Sequence, residues 1–130
     1  MYTAIEVADY IVLKCIDDGR PIDCLTLQKL LLCLQCHYIE EFGGRLFKDD
    51  FEHHIPYPLV AEPFEKYRCY FGGDISFITR LNKLNPRIKE ADREEIDPII
   101  EELSLCSFSA LYNKVDELLL KWGESICGSF

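Results

Sequence analysis

Between Asp23 and Gly43 the chain carries a segment that constrains its fold more than any other. Leu27, Leu30, Leu31, Leu34 and Tyr38 recur at intervals of three and four, the spacing of one helix face. Leu32, Cys33, Cys36 and Ile39 widen that stripe until the helix is apolar on most sides. A helix of this kind belongs in the middle of a fold, where other elements cover every face. Asp23 is placed to cap its first turn, and Gly43-Gly44 supplies the left-handed stop at its end. Gln28 and Lys29 interrupt the apolar run, and at central positions their polar ends must reach partners or water. They either anchor neighbouring backbone carbonyls and acidic groups or line an interface groove.

The remaining segments read as helices with one buried face. Thr3 and Glu6 fit a capping box, followed by Ala8, Ile11, Val12, Cys15 and Ile16 at helical spacing until Asp18-Gly19-Arg20-Pro21. Arg45-Leu46-Phe47 and Phe51-Glu52-His53-His54-Ile55 flank Lys48-Asp49-Asp50, a pattern that predicts a β-hairpin. After Pro56 and Pro58, the residues Val60, Phe64, Tyr67 and Phe71 predict a third helix stopped by Gly72-Gly73. Segment 75–85 is compatible with a strand or a short helix. Asp97-Pro98 either opens a further helix or, if that helix starts near Asp92, lies inside it and kinks it. Ser107 or Ser109 then opens a last helix bearing Leu111, Val115, Leu118, Leu119 and Trp122 on one face, closed by Gly123. The expected fold is one mainly α-helical domain over residues 1–130, a bundle of about five helices with a small β-hairpin between the second and third.

A chain of 130 residues is long enough to bury one core. Fourteen Lys and Arg against 23 Asp and Glu give a formal charge of −9, a field that repels phosphate and anionic lipid. Nucleic acid and membrane surfaces are therefore disfavoured as partners, while basic proteins are compatible. The sequence shows neither a secretory pattern nor an apolar run of about 20 residues, and the expected location is cytoplasmic. Cys15, Cys24, Cys33, Cys36, Cys69, Cys106 and Cys127 fall mostly at apolar helical positions, which suits reduced, buried thiols.

Cys33-Leu34-Gln35-Cys36-His37 matches the C-x-x-C-H pattern of covalent haem attachment. That chemistry belongs to exported proteins, and Met1 is the only methionine available as an axial ligand, so two apolar-face thiols are the simpler reading. Cys33, Cys36, His37 and His53, with His54, form the nearest thing to a zinc set, provided the hairpin approaches the central helix. The same thiols and histidines with an acidic neighbour are the raw material of a nucleophilic site. The sequence has no Gly-x-Ser-x-Gly elbow, no phosphate-cradling Gly-Lys-Ser/Thr loop and no His-Glu-x-x-His pair. The expectation is a non-enzymatic chain without cofactor or metal. Segment 90–97, with Glu101 and Glu102, reads as a solvated acidic face, docking of a basic partner being the alternative.

Leu27-Gln28-Lys29-Leu30-Leu31, Phe42-Gly43-Gly44-Arg45-Leu46-Phe47, Pro58-Leu59-Val60 and Phe64-Glu65-Lys66-Tyr67 follow one another in an order that resembles the Panacea domain of SocA-like and GepA-like phage-associated antitoxins. The opening Ala4-Ile5-Glu6-Val7-Ala8-Asp9-Tyr10 is similar to the start of that family, and the likeness covers residues 3–71 with a weaker tail to Trp122. The chain departs from the family at His53-His54, where Ala-Trp is usual, at Tyr57, where glycine is usual, and at Val115-Asp116 in place of Thr-His. The resemblance implies a helical antitoxin that acts by contact, neutralising a cognate toxin or delivering it as an adaptor to a cytoplasmic protease. The alternative partner is a host protein bound or inhibited by a phage or mobile-element product. Lys29, Tyr38, Tyr57, Pro58, Phe64, Tyr67 and Trp122 are the candidate contact residues, Tyr38, Phe64 and Trp122 being better suited to the core.

Overall fold

α2 (Cys24–Phe42) lies at the centre, as its apolar circumference requires. Leu27, Leu30, Leu31, Leu32 and Leu34 are buried to within a percent of completion. Each such leucine contributes roughly 1.5–3 kcal/mol relative to an exposed position. Asp23 Oδ1 accepts from the Thr26 N–H at 2.7 Å to cap the helix, and Gly43 ends it with φ 70°. A side chain at Gly43 would strain that left-handed backbone.

Around this axis the computed structural model, which describes residues 1–68 and 86–127, packs four further helices: α1 (Ala4–Asp17), α3 (Ala61–Tyr67), α4 (Glu90–Leu105) and α5 (Phe108–Ile126). All four contact α2, and α1 also contacts α3 and α4. The Thr3–Glu6 capping box opens α1 with both reciprocal bonds in place. The expected extension of the third helix through Phe71, its stop at Gly72-Gly73 and segment 75–85 lie outside the described residues.

The predicted β-hairpin between α2 and α3 is not formed. Its two runs pair elsewhere, in isolated bridges of Phe47 with Tyr2, Phe51 with Cys127 and Glu52 with Leu59. Competition for backbone groups explains the difference. Tyr2 N–H donates to the Leu46 carbonyl at 3.3 Å, Lys48 N–H to the Tyr2 carbonyl at 2.9 Å, and Phe51 N–H to the Ile126 carbonyl at 2.8 Å. With Phe47 and Phe51 both wholly buried, each run is anchored to a different part of the core.

Two glutamines on α2 complete that anchoring. Gln35 Oε1 accepts from the N–H groups of Leu46 and Phe47 at 2.9 and 3.1 Å, and its Nε2 donates to the Phe47 carbonyl at 2.9 Å. Two turns earlier, Gln28 Oε1 accepts from Val60 N–H at 2.8 Å and its Nε2 donates to the Val60 carbonyl at 3.0 Å. Both ends of the segment joining α2 to α3 are thus fastened to α2 by side-chain amides that imitate a strand.

One open alternative is decided and two further expectations are corrected. α4 starts at Glu90 with Pro98 inside it, and Asp97 accepts from the Tyr10 hydroxyl at 2.6 Å instead of capping a new helix. Ser107 opens α5, accepting from Ala110 N–H at 3.1 Å, yet Gly123 does not close it. The helix continues to Ile126 because Arg45 donates to the Ser125 carbonyl at 2.8 Å and Phe51 N–H to that of Ile126, giving late carbonyls partners without a glycine turn. Finally, the acidic run is not simply a solvated face. Asp92 accepts from both the Tyr38 hydroxyl, at 2.6 Å, and the Tyr2 hydroxyl. Glu95 Oε1 lies 2.6 Å from His37 Nε2, and Glu101 accepts from Lys14 at 3.1 Å. One stripe of α4 is therefore buttoned to α1 and α2 by carboxylates, beside the apolar contacts of Ile96, Ile100 and Leu103.

Candidate functional site

Lys29, Tyr57 and Pro58, three of the seven candidate contact residues, come together where α2 faces the start of α5. Lys29 follows Gln28 on α2, and only 8% of it is exposed. Its Nζ lies 4.8 Å from the centre of the Phe108 ring and 5.7 Å from that of Tyr57. Ring faces attract ammonium groups through their quadrupole, by about 0.5–1 kcal/mol at accessible sites. Among the described residues no carboxylate forms an ion pair with this ammonium and no acceptor forms a hydrogen bond with it.

Tyr112 completes the aromatic group. Its ring meets Tyr57 edge-on at 5.0 Å between centroids and Phe108 at 5.8 Å. Partial burial, the Tyr112 hydroxyl and the Asp116 carboxylate push the Tyr57 phenol above its ordinary value. Asp116 therefore bears on the tyrosine pair. Beneath the rings is a cavity of about 30 Å³ lined by Leu25, Gln28, Lys29, Leu32, Tyr57 and Pro58, among others, enough for a small polar group. Leu25, in its lining, is 57% exposed, and Phe108 and Tyr112, against Lys29 and Tyr57, are 70% and 36% exposed. Large apolar side chains grouped at a surface mark contact sites more often than isolated ones do.

The sequence reading missed Phe108, Tyr112 and Leu25. The signal was available: Phe108 and Tyr112 are one turn apart and off the Leu111–Val115 stripe, and Leu25 is one turn before Lys29. Attention to the buried stripe of α5 concealed its exposed aromatic pair.

The other candidates lie elsewhere. Tyr38 is buried, and its phenol is raised by burial and by its bond to Asp92. Tyr67 is wholly buried and donates to Asp9, whose Oδ1 also accepts from Lys66 at 2.8 Å. Phe64 and Trp122 are half-buried against the core, the Trp122 indole lying 5.7 Å from Lys121 Nζ. A broader cleft of about 380 Å³ is lined by Tyr2, Glu6, Tyr38, Arg45, Lys89 and Asp92, among others. Its charged walls are largely engaged: Asp92 by two tyrosines, Glu6 by the capping box and Arg45 by Asp50 at 2.6 Å.

The cysteine and histidine candidates are not assembled. Among the described residues no group of three or more His, Cys, Asp or Glu side chains is arranged to hold a metal ion. Cys33 and Cys36 are core residues whose thiols burial pushes up to about 12, far from the thiolate that a ligand or nucleophile requires. Buried at 3% and 0% exposure, they leave no space for a macrocycle at the C-x-x-C-H run. His37 is turned to Glu95, and His53 and His54 are exposed on the loop after Phe51.

No protein-family model matches the chain, and no curated protein and no solved structure matches it. The likeness to the Panacea domain rests on the residues quoted above. Among the described residues no helix is long and apolar enough to cross a membrane.

Proposed function

We propose that the chain is a non-enzymatic protein-binding module of antitoxin type, which acts in the cytoplasm by holding a cognate toxin or presenting it to a protease. The observation that carries this reading is the exposed aromatic group of Phe108 and Tyr112 around Lys29 and Tyr57, flanked by Leu25. Binding by contact draws most of its energy from a few aromatic and apolar anchors seated beside a partner pocket. The Panacea resemblance supplies the toxin as the partner class, and the departure at Tyr57 falls within this very surface, where it alters the shape a partner meets.

The test is co-expression of the tagged chain with the product of the adjacent reading frame, scored for growth and for co-purification. The expected result is a product toxic alone, silenced in a stoichiometric complex, and released by Phe108→Ser with Tyr112→Ala while melting of the chain is unchanged. A harmless neighbour that forms no complex overturns the antitoxin reading; capture of a host enzyme in its place replaces the toxin by a host target.

A further inference from the structure

We infer that the exposed ridge of α5 seats a basic segment of the protein partner, in which an arginine between apolar residues pairs with Asp116 and stacks on Tyr112. The inference rests on the binding-module reading and specifies the partner's chemistry at that surface.

Phe108, Tyr112, Asp116 and Leu120 stand four residues apart, so they line one edge of α5 over about 18 Å. All four reach solvent: Phe108 is 70% exposed, Tyr112 36% and Leu120 91%, with Asp116 exposed between the last two. Leu111 and Val115, on the adjoining side of the helix, are the residues that enter the core. No described element covers Leu120, and a row of apolar and aromatic groups left outside the core marks a contact surface.

Charge restricts what fits this row. Glu117 and Glu124 lie three residues before Leu120 and four after it, so they are its neighbours on the helix surface and add to Asp116. All three carboxylates are exposed, and among the described residues none has an ion-pair partner. The lysines of α5 are on another side: Lys121 pairs with Glu40 of α2 at 2.9 Å, and Lys114 lies two turns before it. With a formal charge of −9 behind them, these carboxylates attract a cationic segment and repel phosphate and anionic lipid.

The order of residues along the ridge decides between arginine and lysine. Asp116 is one turn beyond Tyr112, whose ring meets Tyr57 edge-on at 5.0 Å. A guanidinium lies flat on a ring and donates two parallel bonds to a carboxylate beside it, whereas an ammonium is a compact charge that holds its water. Lys29 opposes a cation at Phe108, whose ring centre is 4.8 Å from its Nζ, but it has no such contact with Tyr112 among the described residues. The arginine therefore belongs at Tyr112 and Asp116, with its apolar neighbours on Phe108 and Leu120.

The experiment titrates the isotope-labelled full chain with a blocked helical peptide bearing leucine, arginine and leucine at successive turns of one face, and with its citrulline and lysine counterparts. Backbone signals of Phe108, Tyr112, Asp116 and Leu120 are followed by NMR. The expected result is saturable perturbation by the arginine peptide, the citrulline peptide binding weaker by about tenfold. Asp116→Asn should abolish that discrimination, whereas Glu40→Gln, away from the ridge, should retain it, both variants being checked for unchanged melting. Equal binding of the arginine and citrulline peptides, undiminished discrimination in Asp116→Asn, or no perturbation by the arginine peptide overturns the inference. A lysine peptide as tight as the arginine peptide overturns the assignment to arginine, and ridge signals that shift with the chain's own concentration make a second copy the occupant instead. A co-expressed complex released by Phe108→Ser with Tyr112→Ala but indifferent to Asp116→Asn sinks this inference and leaves the binding module standing, whereas peptide discrimination without any toxin complex does the reverse.

Discussion

Gln28 and Lys29 are neighbours on one helix, both polar and both more than nine-tenths buried, yet they serve opposite ends. Gln28 closes both atoms of its amide on Val60, as Gln35 does on Leu46 and Phe47. Lys29 meets instead the ring faces of Tyr57, on the strap between α2 and α3, and Phe108, at the start of α5. The strap side of α2 is finished by the chain itself, whereas the α5 side presents an ammonium with no described counter-charge. Buried polar groups in a folded protein are almost always satisfied, and Gln28 and Gln35 follow that rule through backbone partners supplied by the chain.

The largest effect should come from breaking the finished side. Gln35→Leu keeps the approximate volume but removes the partner of two N–H groups and one carbonyl at Leu46 and Phe47. Each buried orphan costs about 1–3 kcal/mol, and water reaching the loosened strap relieves part of it. Urea unfolding should show a loss of about 3–5 kcal/mol with little change in slope. Gln28→Leu should cost less, since the Val60 carbonyl also accepts from Phe64 N–H at 3.2 Å. A Gln35→Leu chain as stable as wild type would remove the distinction between the two faces.

How much of this was legible in the residues depends on how local the cause is. The caps at Thr3, Asp23 and Ser107 and the central place of α2 follow from side chains within a turn or two of one another. The hairpin failed because Phe47 and Phe51 pair with Tyr2 and Cys127, partners more than 40 residues away that no local pattern announces. The acidic stripe failed for the same reason: its tyrosines lie on α2, in the middle of α1 and just before α1, joined to Asp92 and Asp97 only by the fold. At the candidate site, Lys29, Tyr57 and Pro58 were found as an interrupted apolar run and an altered turn. Phe108 and Tyr112 were hidden by the stronger signal of the buried stripe beside them.

Alkali gives a second, smaller way to sharpen the contrast, because it threatens α2 with further unpaired charges. Cys33 and Cys36 are held up at about 12 by burial, whereas an unfolded thiol titrates near about 8.5. Between those values the unfolded chain binds fewer protons than the folded one, so stability falls as pH rises. Each thiol should contribute a loss approaching about 1.4 kcal/mol per pH unit once pH exceeds the unfolded value. Urea unfolding from pH 8 to 9.5 should therefore show a falling midpoint, and Cys33→Ala, whatever its starting stability, should have a shallower fall. A pH-independent midpoint would mean that these thiols ionise as easily inside as outside.

The smallest expected change is at Lys29 itself, and its smallness is what separates the two faces. Lys29→Met keeps the length of the side chain, loses the attraction of two rings and removes a charge from a mostly buried residue. The ring attraction is worth about 0.5–1 kcal/mol and the relief acts in the opposite direction. The net change in unfolding free energy should stay below about 1 kcal/mol, against about 2 kcal/mol or more for Gln28→Leu one residue away. If Lys29→Met destabilises as much as Gln28→Leu, Lys29 is a structural residue with an internal partner, and the mouth beside α5 is as finished as the strap. If the chain is unharmed while partner binding is lost, the ammonium is retained for something other than the fold, since a methionine would fill much the same space.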